Sequence, residues 1–534
     1  MPWMHLPGRN EGAVRGLTMP GPIETELKLM ASPALLGDLR RHPALAGREA
    51  TARIETIYFD TADRRLQRGG AALRIRNQGP AREQTLKLAL PGAAAVRRSE
   101  WTVDAPAEAP DESAFPARPR AALARLLDGA VPGAIGTTRV ERTTRRLRHG
   151  GSIVECVFDS GTIDAGRRTE PISEIELELV TGRLSDLLAL AQQLPLGPEL
   201  RWSTKSKAAR CYDLAYDLSP EAARARALRY SSGLDARKGF QGIAWNCLDQ
   251  LLANYPLVIA TGDPEAVHQS RVAIRRLRAG FSIFGKLVDD DLAPILRAEF
   301  KAVASGLGPA RELHVLIDQV QSAAAAEEGD VAELLSHLRQ VRDRETRSVA
   351  ALLAQAPFQR LLVQFADWAE AGRWLTARED VHGDNSLTAF ASAALGTQRR
   401  RLRRLHKAPS EMADARRHRL RIAVKKLRYS AEFFAPLFPD SEASRQRRTF
   451  AKALGRLQGC LGELNDLAVA AAGRDALFAD LDPITAARFS AQLEELLGHH
   501  ERSRRKLLAQ ADRNLRQVVG AKAWWKASPD ATVT

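Results

Sequence analysis

Between Ile23 and about Val180, apolar and polar residues alternate with a period of two, in short runs set apart by turn residues. Eight strands are predicted, over 23–29, 54–60, 72–76, 84–90, 97–103, 139–147, 152–159 and 172–180, with helices over 32–41 and 183–194. From about residue 236 the period becomes 3.6, carried by long Ala/Leu/Arg segments with few strand signals. The stretch between, 216–238, reads as a linker with some helical character.

The charges in the first half sit in an unusual place. In Ile23-Glu24-Thr25-Glu26-Leu27-Lys28-Leu29, both carboxylates and the amine share one strand face, and Ile23, Leu27 and Leu29 share the other. Arg74 and Arg76 flank Ile75 in the same way, Lys87 stands alone between Leu86 and Leu88, and Glu174, Glu176 and Glu178 alternate with Ile175, Leu177 and Leu179. Arg98 and Glu100 share a face opposite Trp101 and Val103. One such strand alone fits the solvated face of a sandwich. Several together place like charges about 7 Å apart along each strand, an array a metal site uses and a surface does not need. About eight strands close into a barrel whose interior holds one small ligand, and the apolar outer faces then need helices to cover them.

Composition narrows the partners. The chain has 534 residues and a formal net charge of +15. Residues 219–534 hold 48 Lys/Arg against 37 Asp/Glu, so most of the excess lies in the helical half. That balance calls for an anionic partner, and nucleic acid, acidic lipid and polyphosphate all satisfy it. No uncharged apolar run reaches the ~18 residues of a membrane span. Residues 1–18 lack the apolar core of a secretory signal and are expected to be a disordered leader, with Met19 as an alternative start. Cys156, Cys211, Cys247 and Cys460 have no paired metal-type spacing, which fits buried thiols in a reducing, cytoplasmic setting.

In the order they occur, these segments resemble the CYTH superfamily of triphosphate tunnel metalloenzymes. Glu24-Thr25-Glu26-Leu27-Lys28 matches the opening Glu-x-Glu-x-Lys motif; Tyr58-Phe59-Asp60-Thr61, Ala72-Leu73-Arg74-Ile75-Arg76, Thr85-Leu86-Lys87, Arg98-Ser99-Glu100 and Ile172–Glu178 follow, and Ser206-Lys207-Ala208-Ala209-Arg210 resembles the closing motif. The match spans about 20–215. Cys211 stands where the closing motif carries glycine, and Thr102 where some relatives carry a further acid. The resemblance implies an eight-stranded antiparallel tunnel that binds triphosphate compounds with Mg²⁺ or Mn²⁺. By position it assigns Lys28, Arg74, Arg76, Lys87, Arg98, Arg142 and Lys207 to the phosphates. It assigns Glu24, Glu26, Glu100, Asp159, Glu174, Glu176 and Glu178 to the metal side, with Glu24, Glu26 and Lys28 as the catalytic motif and the general base unassigned. The chemistry agrees: a tripolyphosphate needs several cations, and phosphoryl transfer needs positioning and charge neutralisation.

The helical half repeats itself. His268-Gln269-Ser270-Arg271-Val272-Ala273-Ile274-Arg275-Arg276-Leu277-Arg278 recurs 150 residues on as His418-Arg419-Leu420-Arg421-Ile422-Ala423-Val424-Lys425-Lys426-Leu427-Arg428. Each copy precedes a Leu-Gly segment, 307–315 and 461–469, expected to form a similar turn. At about 100° per residue, His268, Arg271, Arg275 and Arg278 form one stripe, and His418, Arg421, Lys425 and Arg428 its counterpart. No acid interrupts either stripe, so a shared anion is expected in place of a merely solvated face. This pattern resembles the CHAD domain, the conserved histidine α-helical domain, over about 239–520, which implies polyphosphate binding between the two basic faces. His314 stands where relatives place aspartate. Neither motif histidine has a second ligand at zinc spacing, and no aromatic platform or zinc finger points to base readout. The cluster Arg399–Arg404 is expected to touch phosphate backbone or extend the groove.

The expected architecture is therefore α+β: an eight-stranded antiparallel β-tunnel flanked by helices over 19–215, a linker over 216–238, an all-α duplicated bundle over 239–520 and a tail over 521–534. The expected function is metal-dependent hydrolysis of inorganic triphosphate to phosphate and diphosphate, with polyphosphate held by the helical domain and polyphosphate granules as a further partner. No specific nucleic acid and no membrane are expected. The alternatives are a non-catalytic polyphosphate-binding or granule protein, and a tunnel enzyme acting on thiamine triphosphate or ATP.

Overall fold

The alternating segments of the first half do form strands. The computed structural model describes residues 22–525 apart from 91–93, 95, 328–330, 377–384, 406–407, 440, 473–476 and 499, so the expected leader and most of the tail lie outside the described residues. The strands are β1 (Ile23–Ala31), β2 (Glu49–Asp60), β3 (Ala71–Gln78), β4 (Ala81–Ala89), β5 (Arg97–Asp104), β6 (Gly133–His149), β7 (Ser152–Ala165), β8 (Arg168–Thr181) and a short β9 (Leu200–Ser203). Their order is β5-β4-β3-β2-β6-β7-β8-β1-β9, and β5 also pairs with β1, so eight antiparallel strands close into a barrel. The hairpins β6–β7 and β7–β8 turn in two residues, where Gly150 and Gly166 take φ values of 58° and 59° that a side chain would resist.

The helices of this half are α1 (Pro33–Leu39), α2 (Arg65–Arg68), α3 (Ala117–Leu127), α4 (Leu184–Gln192) and α5 (Lys207–Tyr216). Ser32 caps α1 ahead of Pro33, and Ser206 caps α5. Asp60, buried at the end of β2, accepts from the backbone N–H groups of Thr61, Leu66 and Gln67 and so sets the first turn of α2. The apolar outer faces are covered as expected: Leu73, Ile75, Leu86 and Leu88 pack against Ala122, Leu123 and Leu127 of α3. The sequence pattern gave no signal for α3 or β9.

The second half is helical throughout: α6 (Ala236–Thr261), α7 (Pro264–Phe284), α8 (Ala293–Gly306), α9 (Gly308–Glu327), α10 (Ala332–Ala354), α11 (Ala356–Ala371), α12 (Leu387–Arg404), α13 (Asp414–Phe434), α14 (Ser441–Ala472), α15 (Pro483–Gly498) and α16 (His500–Gly520). Of the expected linker, 216–238, residues 218–235 form no regular helix, while Tyr216 closes α5 and 236–238 open α6. Among the described residues no single helix is long and apolar enough to cross a membrane.

Two compact units result. One holds the chain up to residue 225 together with 248–257 and 353–372; the other holds 226–247, 258–352 and the chain from 373 on. In the second unit the motif helices α7 and α13 pack side by side, burying Ala273, Ile274 and Leu277 of one and Ala423, Val424 and Leu427 of the other. Of the two expected Leu-Gly turns, only the first breaks the chain, between α8 and α9; the second lies within α14, and the side chains of 465–469 are outside the described residues.

Candidate active site

Residues directly opposite in an antiparallel pair share a face, so the register fixes what the barrel encloses. Lys28 stands opposite Glu176, Glu26 opposite Glu178 and Met30 opposite Glu174. Glu174 stands opposite Asp159, and Asp159 opposite Arg142. On the other side, Glu24 faces Arg98, Glu100 faces Lys87, and Arg74 lies between Tyr58 and Thr85. These residues all fall on one face of a closed sheet. That face is the inner one, because Leu27, Leu29, Leu73 and Ile75, which alternate with them, are fully buried on the helix-covered side.

Deep in the lumen lies a largely buried ion cluster. Asp159 and Glu174 are both 0% exposed. Lys207 bonds Asp159 at 2.6 Å and Glu176 at 3.0 Å, and also bonds Glu174. Lys28 bonds Glu174 at 3.1 Å and also bonds Glu176. Arg142 grips Asp159 through two nitrogens, at 2.8 and 2.5 Å. Arg210 reaches Glu174 at 3.2 Å and Glu170 at 2.7 Å. Burial alone would discharge Glu176 and Lys28, but their partners outweigh it. The Glu176 carboxyl is held well below the usual range by Lys207, Lys28 and Arg142, and the Lys28 ammonium is raised by Glu174, Glu176 and Glu26.

Nearer the mouth the balance of sign reverses. Lys87 bonds Glu24 at 2.7 Å and Glu100 at 3.1 Å, and Arg74 reaches Glu100 at 3.4 Å. Glu178 faces Glu26 on one side and Glu155 on the other, a row of three carboxylates across three strands. Burial, then Glu24, pushes the Glu178 carboxyl up to about 7. A cavity of about 360 Å³ opens beside Glu24, Glu100 and Glu178.

The donor set suits a hard divalent cation, since every candidate ligand is a carboxylate oxygen. Two places compete for it. Asp159, Glu174 and Glu176 bring oxygens within 4.8 Å of one another, the tightest geometry. Four cations, Lys28, Lys207, Arg142 and Arg210, already surround those three acids. At the mouth the four acids Glu24, Glu26, Glu100 and Glu178 meet three cations among the described residues: Lys87 and Arg74, which bond Glu24 and Glu100, and Arg98, which stands opposite Glu24. Unit charges about 4 Å apart interact by about 4 kcal/mol at an effective dielectric of 20. The mouth acids are therefore less compensated by cations than the deep three.

The cations suit a phosphate chain. The Nε atoms of Arg74 and Arg76 are buried and make no hydrogen bond among the described residues. Repulsion from Arg74, with burial and Arg142, pulls the Arg76 guanidinium down to about 10, so a buried anion there would relieve it. Arg98 lies at the same wall, its guanidinium donating to Thr204 O at 3.4 Å.

One end of the lumen is plugged. Ala208, Cys211 and Tyr212 of α5 pack against Ile54, Tyr58, Val140, Ile163 and Ile172. Cys211 fits because its sulfur faces Gly136, where a Cβ would sit 2.5 Å away. The plug, the acid Glu155 and the cation Arg210 were not singled out from sequence. Arg210 carried a signal, as part of the closing motif one helical turn after Lys207; for Glu155 only its parity with Asp159 on β7 points inward.

In the helical unit the two stripes differ in their surroundings. Arg271 donates to Leu307 O at 3.1 Å and Gly308 O at 2.8 Å, and Arg275 donates to Tyr429 Oη at 2.5 Å. Arg278, His418 and Arg428 are exposed, while His268, Arg421 and Lys425 are half-buried. Of the Arg399–Arg404 cluster, Arg399 and Arg403 donate to Val519 O at 3.0 and 3.1 Å, closing the C-terminus of α16. Those two serve the helix end.

Compared with known families, residues 22–212 match the CYTH domain and residues 242–474 match the CHAD domain. An inorganic triphosphatase of Haemophilus influenzae is 30% identical over 199 residues, covering 35% of this chain and 54% of that protein. The chain thus spans about half the length of the curated relative it matches. The crystal structure of a CHAD domain from the plant Ricinus communis is 27% identical over 56% of this chain and 97% of its own, with a TM-score of 0.48. A putative adenylate cyclase from Bacillus halodurans is 21% identical over 30% of this chain and 83% of its own, with a TM-score of 0.22.

Proposed function

The chain joins a CYTH domain to a CHAD domain, and from that premise we propose that its barrel hydrolyses inorganic triphosphate to phosphate and diphosphate with a bound divalent metal, Mg²⁺ or Mn²⁺. The observation that carries this is the register, which turns the basic strand residues Lys28, Arg74, Arg76, Lys87, Arg98 and Arg142 and the acidic ones Glu24, Glu26, Glu100, Glu155, Asp159, Glu174, Glu176 and Glu178 onto one enclosed face. A pure anion-binding pocket would be better served without the acids.

Lys28, Arg74, Arg76, Lys87 and Arg142 bind the phosphate chain, with Arg supplying planar forks and Lys point charges. Lys207 binds at the deep end, where α5 presents it, and Arg98 at the wall. Glu24, Glu26, Glu100 and Glu178 hold the metal; Asp159, Glu174 and Glu176 keep the deep cations in place. When bound, the metal supplies charge neutralisation at the transferred phosphoryl group and acidifies the attacking water. The plug formed by α5 keeps bulk water from that end.

The helical domain holds longer polyphosphate on the stripes of His268, Arg271, Arg275 and Arg278 and of His418, Arg421, Lys425 and Arg428. What supports this is the duplicated spacing on two adjacent helices and the basic excess of that half.

Purified full chain with Mg²⁺ and a panel of tripolyphosphate, ATP, thiamine triphosphate and long-chain polyphosphate tests the assignment. Preferred release of phosphate from tripolyphosphate supports it. Preferred turnover of ATP or thiamine triphosphate reassigns the substrate, and tight binding without turnover of any of them removes the enzyme.

A further inference from the structure

Lys207 is one of two deep cations, with Arg210, that no barrel strand carries. It sits on α5, five residues beyond Trp202 of the short edge strand β9. Among the described residues β9 pairs with β1 alone, through Lys28–Ala31, so its other edge has no strand to satisfy it.

Two side chains from later in the same compact unit take that role. Gln359 of α11 accepts from the Trp202 N–H at 3.4 Å through Oε1. Tyr255 of α6 donates its hydroxyl to Trp202 O. The two are joined, because Tyr255 Oη lies 3.3 Å from Gln359 Oε1, and Gln359 Nε2 donates to Leu353 O at 2.8 Å. Trp202, Tyr255 and Gln359 are all at most 1% exposed. Both backbone groups of Trp202 are thus held as a neighbouring strand would hold them.

The preceding residue on α6 does the same beyond α5. Asn254, fully buried, accepts from Ala223 N–H at 2.9 Å and donates to Ala223 O at 2.8 Å. Adjacent residues of one helix therefore clasp the chain at Trp202 and at Ala223, on both sides of the helix that presents Lys207 and Arg210.

We infer that Asn254, Tyr255 and Gln359 are positioning residues for Lys207: the clasp fixes where α5 enters the barrel and so where the Lys207 ammonium stands against Asp159, Glu174 and Glu176. All three lie within the span that matches the CHAD domain, so that span completes the phosphate site of the barrel as well as doing its own work. The inference rests on the proposed phosphate-binding role of Lys207.

A double-mutant cycle in the full chain tests it, read as metal-free binding of inorganic tripolyphosphate by calorimetry well below the unfolding temperature. Tyr255→Phe is expected to weaken binding about tenfold, as small displacements of a positioned group do. In a Lys207→Ala background the same change is expected to cost less than about twofold, because coupled residues are not additive. Gln359→Met is run in parallel and serves if Tyr255→Phe fails to fold. Equal losses in both backgrounds, unchanged affinity in the folded variants, or a wild type that does not bind tripolyphosphate would overturn the inference. A wild type that binds but releases no phosphate, with the cycle non-additive, would remove the hydrolysis and leave the clasp standing.

Discussion

Glu26 on β1 and Glu178 on β8 stand directly opposite each other on the inner face of a closed barrel. Opposed like charges destabilise a sheet by up to about 1 kcal/mol, so this pair has use for a cation between its members. Without divalent metal, Glu26→Gln is expected to leave stability equal or slightly higher. With Mg²⁺ the wild type gains stability by mass action, and the variant loses most of that gain. Thermal unfolding with chelator and with Mg²⁺ checks both signs.

Glu178 also predicts a pH dependence. Its carboxyl titrates at about 7 in the folded protein against 4.5 ordinarily. Between those values the folded protein keeps a proton that the unfolded chain has lost, so stability falls as pH rises through this window. The full shift is worth at most about 3 kcal/mol, less the share that solvent screens. Glu176 and Asp159 act elsewhere: their lowered values add stability that is lost only as pH falls below the ordinary carboxylate range. Unfolding in chelator across both windows should show the slope from Glu178, and Glu178→Gln should flatten it.

Arg76 is crowded by Arg74 and Arg142, and its buried Nε is unsatisfied. Arg76→Met is expected to leave apo stability within about 1 kcal/mol of wild type. It should weaken tripolyphosphate about ten- to a hundredfold, the worth of one charged hydrogen bond of about 1.5–3 kcal/mol. Calorimetric titration of both proteins checks it.

In the helical domain, Arg271→Ala combined with Arg421→Ala is expected to weaken retention of long-chain polyphosphate about tenfold or more, again one or two charged hydrogen bonds. Triphosphate turnover should stay near the wild-type rate. Retention on immobilised polyphosphate, with turnover assayed in parallel, separates the two sites; unchanged retention counts against the stripes.

Much of this was legible because strand parity is simple. Alternation in Ile23–Leu29 and Glu174–Leu179 already sorted charges from apolar residues, and closure only had to decide which face was inside. What escaped notice lacked a period. β9 is four residues long and holds its place by pairing with β1 and by side chains more than fifty residues away. α5 plugs the barrel through Ala208, Cys211 and Tyr212, an assignment that depends on where the lumen ends. For the arginine run 399–404, expected to touch phosphate backbone or extend a groove, sequence does not say which guanidiniums are spent on carbonyls at a helix end, as Arg399 and Arg403 are.

Phosphate release from tripolyphosphate with Mg²⁺, measured for the full chain and for Glu24→Gln, bears most directly on the lumen as a catalytic site. Wild-type turnover that falls by about a hundredfold or more in the variant, on the scale of a lost charge-stabilising group, is the expected result. Absent release in the wild type, or release undiminished in Glu24→Gln, would contradict it.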